Sequence, residues 1–370
     1  MLAAITQTLR SRDTRAAVTH LLKGRYKAAA RECYALVDTG RSVPNAICLL
    51  SIIAVSLGLW KEARAHLEIC LRDPTAAASH LCAMAYVCIG LGDLDAAQRC
   101  VRQASGNRRL GSLSDLLQAR VWQEAGDLKE AERLLRTLVE RTPSANVAQQ
   151  GLYSCARDRL WTECSPVDLQ CWSRGRFVLL DEGWGEIVVC LPDLLSRAYL
   201  RSLRSALSAA NWESGRVGLG RGIQHRHRRS RVTWLQDPRR PRTLWLTLFA
   251  TSQAVNRSYF GQSLVGAEAV QVALYAPAAS AFEWHADRLA DGRLRARSLT
   301  MVVALSDSSA YAGGVLEFRT RSGHVRSKRL DAGEAVFFPS NLQHRVSPIT
   351  AGQRMSMTVW FQEKLAASNL

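Results

Sequence analysis

Cysteine is missing from the last 180 residues of this 370-residue chain: all ten lie between Cys33 and Cys190, and no two are spaced Cys-x-x-Cys. A paired-cysteine zinc or redox motif is therefore excluded. Cys70, Cys82, Cys88 and Cys100 fall within apolar helical runs, where a free thiol behaves as a small hydrophobe. A reducing, cytoplasmic compartment fits this usage better than a disulfide framework. No stretch reaches the roughly 18 apolar residues of a membrane span, and the N-terminus lacks a charged, then apolar, then small leader pattern, so no membrane partner is expected. Acidic residues are scarce, 32 against 49 Lys and Arg, giving a net charge of +17 and a pI near 10.0. Such a balance suits an anionic substrate, an acidic protein surface or nucleic acid.

What is present begins with a repeat. Gly24, Gly58, Gly92 and Gly126 stand 34 residues apart. Five residues after each comes Ala29, Ala63, Ala97 or Ala131, and seven before each comes Ala17, Ser51, Ala85 or Ala119. Small residues at those places let two helices approach closely, and glycine permits the tight turn between them. Pro143 is suited to ending the last helix. The Arg-rich start of the chain, 1–22, keeps this register and reads as structure rather than as a transit peptide. The pattern resembles the tetratricopeptide repeat family over residues 5–145 as four units, without most of the aromatic residues expected early in the first helix of each. The resemblance implies an all-α helical-repeat solenoid whose concave face takes a peptide or protein partner. Packing on the other half of the chain, or dimer formation, is the alternative.

Between residues 149 and 176 the register lapses into mixed signals at Trp161, Cys164, Pro166, Cys171 and Trp172, which read as a packed connector. Short strands are expected at 177–180 and 186–191, then a helix at 192–210 carrying Leu195, Tyr199, Leu203 and Leu207 and ended by Asn211-Trp212. Beyond Glu268, strands are expected at 270–275, 299–305, 315–318, 335–338 and 355–361, punctuated by Pro277, Gly313-Gly314, Gly333, Pro339 and Gly352. That succession predicts a double-stranded β-helix, or jelly-roll, within an α+β domain. The domain boundaries expected are 1–148 for the repeats, 149–184 for the connector and 185–365 for the jelly-roll.

Within this frame sit His285 and Asp287, and 57 residues beyond the aspartate, His344. Residues two apart on an extended strand point the same way, so His285 and Asp287 can reach one ion. A distant histidine completes a facial set of two imidazoles and a carboxylate, which suits Fe(II) and leaves coordination positions open. Ten residues after His344 comes Arg354, whose planar guanidinium can clamp a carboxylate with two parallel hydrogen bonds. Thr358 lies on the same strand face and Tyr275 at a strand end, both candidates for further contacts to the co-substrate.

A His-x-Asp alone is commonplace; its ordered context is not. Tyr275, His285, Asp287, Arg297-Ser-Leu-Thr300, Gly313-Gly-Val-Leu-Glu-Phe318, Gly333, Phe338-Pro339, His344-Arg-Val-x-Pro348 and Gly352-Gln-Arg354 together resemble the prolyl 4-hydroxylase branch of the 2-oxoglutarate/Fe(II) dioxygenases. The resemblance covers about residues 185–362, including an early core strand at 231–235. It implies His285, Asp287 and His344 as iron ligands and catalytic centre, Arg354 as the anchor of 2-oxoglutarate, O2 as co-substrate, succinate and CO2 as products, and L-ascorbate as a restorer of Fe(II). Collagen-type members carry lysine where Arg354 stands, which argues against a collagen-like substrate. Halogenating relatives lack a carboxylate where Asp287 stands, so hydroxylation is the expected outcome.

The segment 220–231 carries five arginines and two histidines in twelve residues, readable as a solvated loop or as a rim that attracts an anionic substrate. Trp234 and Trp245 read as core residues rather than base-stacking platforms. The expected activity is hydroxylation of an unactivated carbon, on a peptide or protein side chain as in prolyl hydroxylases. A small-molecule or carrier-tethered amino acid is the alternative. A nucleic-acid repair oxygenase or a catalytically dead binding module ranks below both, so a nucleic-acid partner is not expected.

Overall fold

A computed structural model describes residues 1–73, 76–142, 146–167, 178–179, 188–214, 230–277, 282–288, 295–319 and 323–364. Its first part is helical. After α1 (Leu2–Thr8), four antiparallel helix pairs follow: α2 (Arg15–Leu22) with α3 (Tyr26–Asp38), α4 (Val43–Ser56) with α5 (Trp60–Cys70), α6 (Ala78–Gly90) with α7 (Leu94–Ala104), and α8 (Gly111–Ala125) with α9 (Leu128–Arg141). The small residues expected between partners are all buried, Ala17, Ser51, Ala85 and Ala119 against Ala29, Ala63, Ala97 and Ala131. The four periodic glycines each close a first helix with positive φ. After each turn the next amide reaches back, as from Arg25 to the His20 carbonyl and from Asp127 to that of Trp122, which satisfies carbonyls the helix end would orphan. Within α6, buried His80 accepts the Ala77 amide at Nδ1 (2.7 Å), so its Nε2–H donates to the Asn45 side-chain oxygen (2.8 Å).

α10 (Asn146–Glu163) runs through the boundary expected at 148/149. Its Ala148 and Cys155 pack on Leu135 and Leu138 of α9, whereas Leu160 and Trp161 at its far end enter the core of the following domain. Trp161 is therefore helical and buried rather than part of an irregular connector; Pro143, Cys171 and Trp172 lie outside the described residues. Among the described residues no helix is long and apolar enough to cross a membrane.

The second part comprises β1 (Val178–Leu179), β2 (Val189–Leu191), α11 (Arg197–Ser208), β3 (Glu213–Ser214), β4 (Arg231–Leu235), α12 (Arg242–Val255), β5 (Leu264–Ala267), β6 (Val270–Tyr275), β7 (Phe282–His285), β8 (Arg295–Ala304), β9 (Tyr311–Gly313), β10 (Leu316–Arg319), β11 (Val325–Lys328), β12 (Ala335–Pro339), β13 (Gln343–Val346), β14 (Ile349–Gly352) and β15 (Arg354–Lys364). A large sheet runs β1-β2-β12-β8-β15-β6-β4-β3 with β5 added beside β15. A smaller sheet, β11-β10-β13-β7, faces it, and β14 pairs β9 at one end. Alternation along each strand divides the core in two. Leu299, Met301, Val303, Val359 and Phe361 face α11 and α12, while Val302, Ala304, Val336, Phe338 and Ala273 face the small sheet. This is the double-stranded β-helix expected from the strand succession.

Three expectations need adjusting. The helix of the entry region starts at Arg197, not 192, because the Ser196 hydroxyl caps it by accepting the Tyr199 amide. α12 occupies a stretch, 242–255, for which no element was expected. Trp245 is core, but Trp234 is 38% exposed: it shares the face of Val232 and meets Trp360 at 6.2 Å, on a strand next to the short edge strand β3. The strands expected at 177–180 and 186–191 are described only at 178–179 and 188–191, and the Arg/His-rich segment 220–231 only at Ser230 and Arg231.

Candidate active site

β7 and β13 are antiparallel neighbours with His285 directly opposite His344. Cross-strand pairing thus brings two imidazoles 59 residues apart in sequence to a ring separation of 4.2 Å. Phe282 stacks on His285 at 3.5 Å and Phe338 meets His344 edge-on at 4.7 Å, so apolar rings fix both orientations. Asp287 follows the end of β7 and completes the group, its oxygens 3.7 Å from His285 Nε2 and 3.5 Å from His344 Nε2. One donor atom from each residue lies within 4.8 Å of the others.

Hydrogen bonds prepare these donors. His285 Nδ1–H donates to the Glu283 carbonyl (2.7 Å) and His344 Nδ1–H to that of Leu342 (3.0 Å). Each bond fixes the tautomer that leaves a lone pair on Nε2, turned toward Asp287. The Thr300 hydroxyl donates to Asp287 Oδ2 (3.0 Å) and shares a 2.9 Å contact with Ser340. Asp287 is only 4% exposed. Burial opposes its ionisation, but the neighbouring His344 and His285 imidazoles outweigh that and hold the carboxyl below its ordinary range. No Lys or Arg among the described residues lies within ion-pair distance of it. A buried carboxylate without a fixed cation requires a countercharge from elsewhere, and the donor set of two imidazoles and a carboxylate fits Fe(II).

Across the interior, on the inner face of the large sheet at the start of β15, Arg354 is 4% exposed. Its strand partner is Tyr275 of β6, whose ring lies 5.3 Å under the guanidinium. Arg354 Nη1 donates to Ser356 Oγ (3.0 Å). No carboxylate among the described residues pairs with this guanidinium, so the wall presents a buried cation that lacks an anion. Thr358 shares the face but sits farther along, opposite Gln271 and Val302. The hydroxyl that touches Arg354 is that of Ser356, which sequence reasoning passed over although its spacing of two put it on the same face. Thr300 stood in the sequence motif without a role and Ser340 was not singled out, because only the folded sheet brings their hydroxyls beside Asp287.

Comparison with known proteins agrees with this geometry. The family model of the 2OG-Fe(II) oxygenase superfamily matches residues 270–362, and that of the tetratricopeptide repeat matches 78–103 and 113–137. A PKHD-type hydroxylase of Azoarcus sp. (strain BH72) is 31% identical over 183 residues, spanning 48% of this chain and 78% of that protein. A PKHD-type hydroxylase of Shewanella oneidensis is 26% identical over 186 residues, with the same two coverages of 48% and 78%. Among solved structures, a prolyl-4-hydroxylase of Pseudomonas putida is similar over 48% of this chain and 93% of that one, at 20% identity and a TM-score of 0.38. The chain belongs to the 2OG-Fe(II) oxygenase superfamily, alongside the PKHD-type hydroxylases, and is an Fe(II)- and 2-oxoglutarate-dependent dioxygenase with tetratricopeptide repeats ahead of its oxygenase fold.

Proposed function

We propose that this enzyme hydroxylates an unactivated carbon of a peptide or protein side chain, in the manner of prolyl hydroxylases, with release of succinate and CO2. In this reading His285, Asp287 and His344 hold the iron and Arg354 anchors 2-oxoglutarate. The observation that carries it is the placing of opposites across the interior of the sandwich: among the described residues, a buried carboxylate without an ion-paired Lys or Arg at Asp287, after β7, and a buried guanidinium without an anion at Arg354, on β15. A metal ion and a dicarboxylate answer both needs.

Bound Fe(II) with the keto acid supplies the activation of dioxygen that no side chain can provide. The protein's part is positioning. Nδ1 donation to Glu283 and Leu342 orients both imidazoles with Nε2 toward Asp287, and Thr300 stops the Asp287 carboxylate from rotating. Arg354, steadied by Ser356 and by the Tyr275 ring, orients the distal carboxylate of the co-substrate. Phe282, Phe338 and Phe318 line the apolar surroundings and exclude water from the reacting centre.

A polypeptide substrate is favoured by the helical repeats ahead of the oxygenase fold. The test is a mass-spectrometric comparison of lysate peptides and metabolites incubated with Fe(II), 2-oxoglutarate and either the wild type or Asp287→Ala. Enzyme-dependent addition of one oxygen to peptides supports the proposal; addition confined to metabolites overturns the choice of substrate.

A further inference from the structure

Between the helical half and the large sheet lies a cavity of about 500 Å³ whose lining includes none of His285, Asp287, His344 and Arg354. Trp60 and Tyr86 form one wall, stacked at 6.0 Å. The Trp60 ring lies flat over Gly90, where a Cβ would fall 1.9 Å from it. Trp234, the tryptophan that the sheet leaves 38% exposed, forms part of the opposite wall. The dimensions are those of small-ligand sites, which run from roughly 300 to 1,000 Å³ and combine apolar walls with a few convergent polar groups.

The charges around the cavity nearly cancel. Arg295 pairs with Asp158 (2.9 Å) and with Glu124 (3.4 Å), and Arg120 pairs with Glu124 (2.6 Å). Glu268 is matched by Arg297, with bonds of 2.8 and 2.7 Å. Arg157 of α10 is left over. It lines the cavity, its Nη1 donates only to the Gln236 carbonyl (3.0 Å), and its buried Nε–H has no acceptor. No carboxylate among the described residues lies within ion-pair distance of it. Burial pulls its pKa down against the opposing influence of Asp158 and Glu268, a sign that a charge is held there at a cost. The arrangement repeats, at a second place, the excess guanidinium seen at Arg354.

We infer that this cavity is a ligand site, distinct from the 2-oxoglutarate site, for a small carboxylate with a flat apolar body, its carboxylate on Arg157 and its body between Trp60, Tyr86 and Trp234. Such a ligand spans both halves of the molecule, so its binding stabilises the docked arrangement. The inference does not rest on the identity of the hydroxylated substrate.

Titration of the full-length protein, saturated with 2-oxoglutarate, with indole-3-acetate and phenylacetate reads the site through tryptophan fluorescence and thermal shift. Saturable binding of at least one probe is expected, with a tenfold or greater loss for its carboxamide and for Arg157→Gln. Trp234→Ala provides a second variant at an exposed position and is expected to weaken binding at least threefold. Absence of saturable binding by both acids, equal affinity for acid and carboxamide, or affinity unchanged in the two variants overturns the assignment. The same acids displacing 2-oxoglutarate from the wild type, with no effect of either variant, would place them at Arg354 and overturn it as well.

Discussion

Two turn glycines, one in each half of this molecule, are required for different reasons. At Gly126, in the repeats, a Cβ would meet nothing within 4 Å, and only the left-handed φ of +91° calls for glycine. At Gly352, in the oxygenase fold, φ is +70° and a Cβ would lie 2.0 Å from the Ala310 carbonyl oxygen. The repeat is built from interchangeable turns, so its demands are conformational and local. The sandwich is built from long-range strand pairs that must bring His285, His344 and Arg354 to one interior from two facing sheets, so its demands are steric and global. A periodic half tolerates change one unit at a time, and a site assembled from distant strands does not.

The sharpest way to break this contrast is at the metal site. Asp287→Ala should abolish substrate-dependent succinate formation and iron retention, read by turnover and by metal analysis, while the helical half keeps its far-UV signal. Full activity in that variant would remove Asp287 from the site. Arg354→Ala should raise the KM for 2-oxoglutarate about a hundredfold, as loss of a buried bidentate anchor predicts, with iron content unchanged; an unaltered KM would separate Arg354 from the co-substrate.

Next in size are stability effects. Gly352→Ala should cost about 3 kcal/mol or more, a clash with backbone being among the severe mechanisms. Gly126→Ala should cost about 1–2 kcal/mol, the penalty of the left-handed conformation alone. Denaturant titration of both checks the comparison, and equal costs would dissolve it. Arg295→Ala, which leaves Asp158 buried without its ion-pair partner and Glu124 with Arg120 alone, should cost about 3 kcal/mol and divide thermal unfolding into two transitions, one for each half; a single transition at the wild-type temperature would show that the pair does not join them.

The smallest effect is expected at His80, whose pKa is lowered chiefly by burial. The sign is that of a histidine kept neutral by folding. Its contribution is complete above the ordinary histidine pKa and is lost as pH falls below that value toward the folded one, since the unfolded chain then binds the proton more readily. Acidification from pH 7.5 to 5.5 should therefore lower the melting temperature of the helical half more in the wild type than in His80→Gln.

Much of this was legible in the sequence, for physical reasons. The 34-residue period predicts the helix pairs because each unit repeats the same small residues at the same contacts. The triad was legible because strand periodicity makes His285 and Asp287 neighbours, and the family resemblance supplied His344 and Arg354. α12 was not legible: Leu244, Trp245, Leu248, Phe249, Ala250 and Ala254 are buried on several faces, and a helix enclosed on most sides has no amphipathic stripe to read. The short strands β7 and β13 hide similarly, since four residues carry too little alternation to stand out. The exposure of Trp234 follows from the placement of β4 beside the short edge strand β3, which only the completed topology reveals.

One helix carries a consequence for anyone who would divide the protein. α10 gives Ala148 and Cys155 to the core of the repeats and Leu160 and Trp161 to that of the oxygenase fold. It is common property, and there is no seam on either side of it. A fragment that starts after Glu163 loses a tryptophan from between Phe249 and Phe361, while one that ends before Asn146 strips the last repeat of its cover. An excised oxygenase half that keeps its solubility should therefore be one that begins upstream of α10, carrying with it the leftover guanidinium of Arg157 and the wall on which the cavity is built.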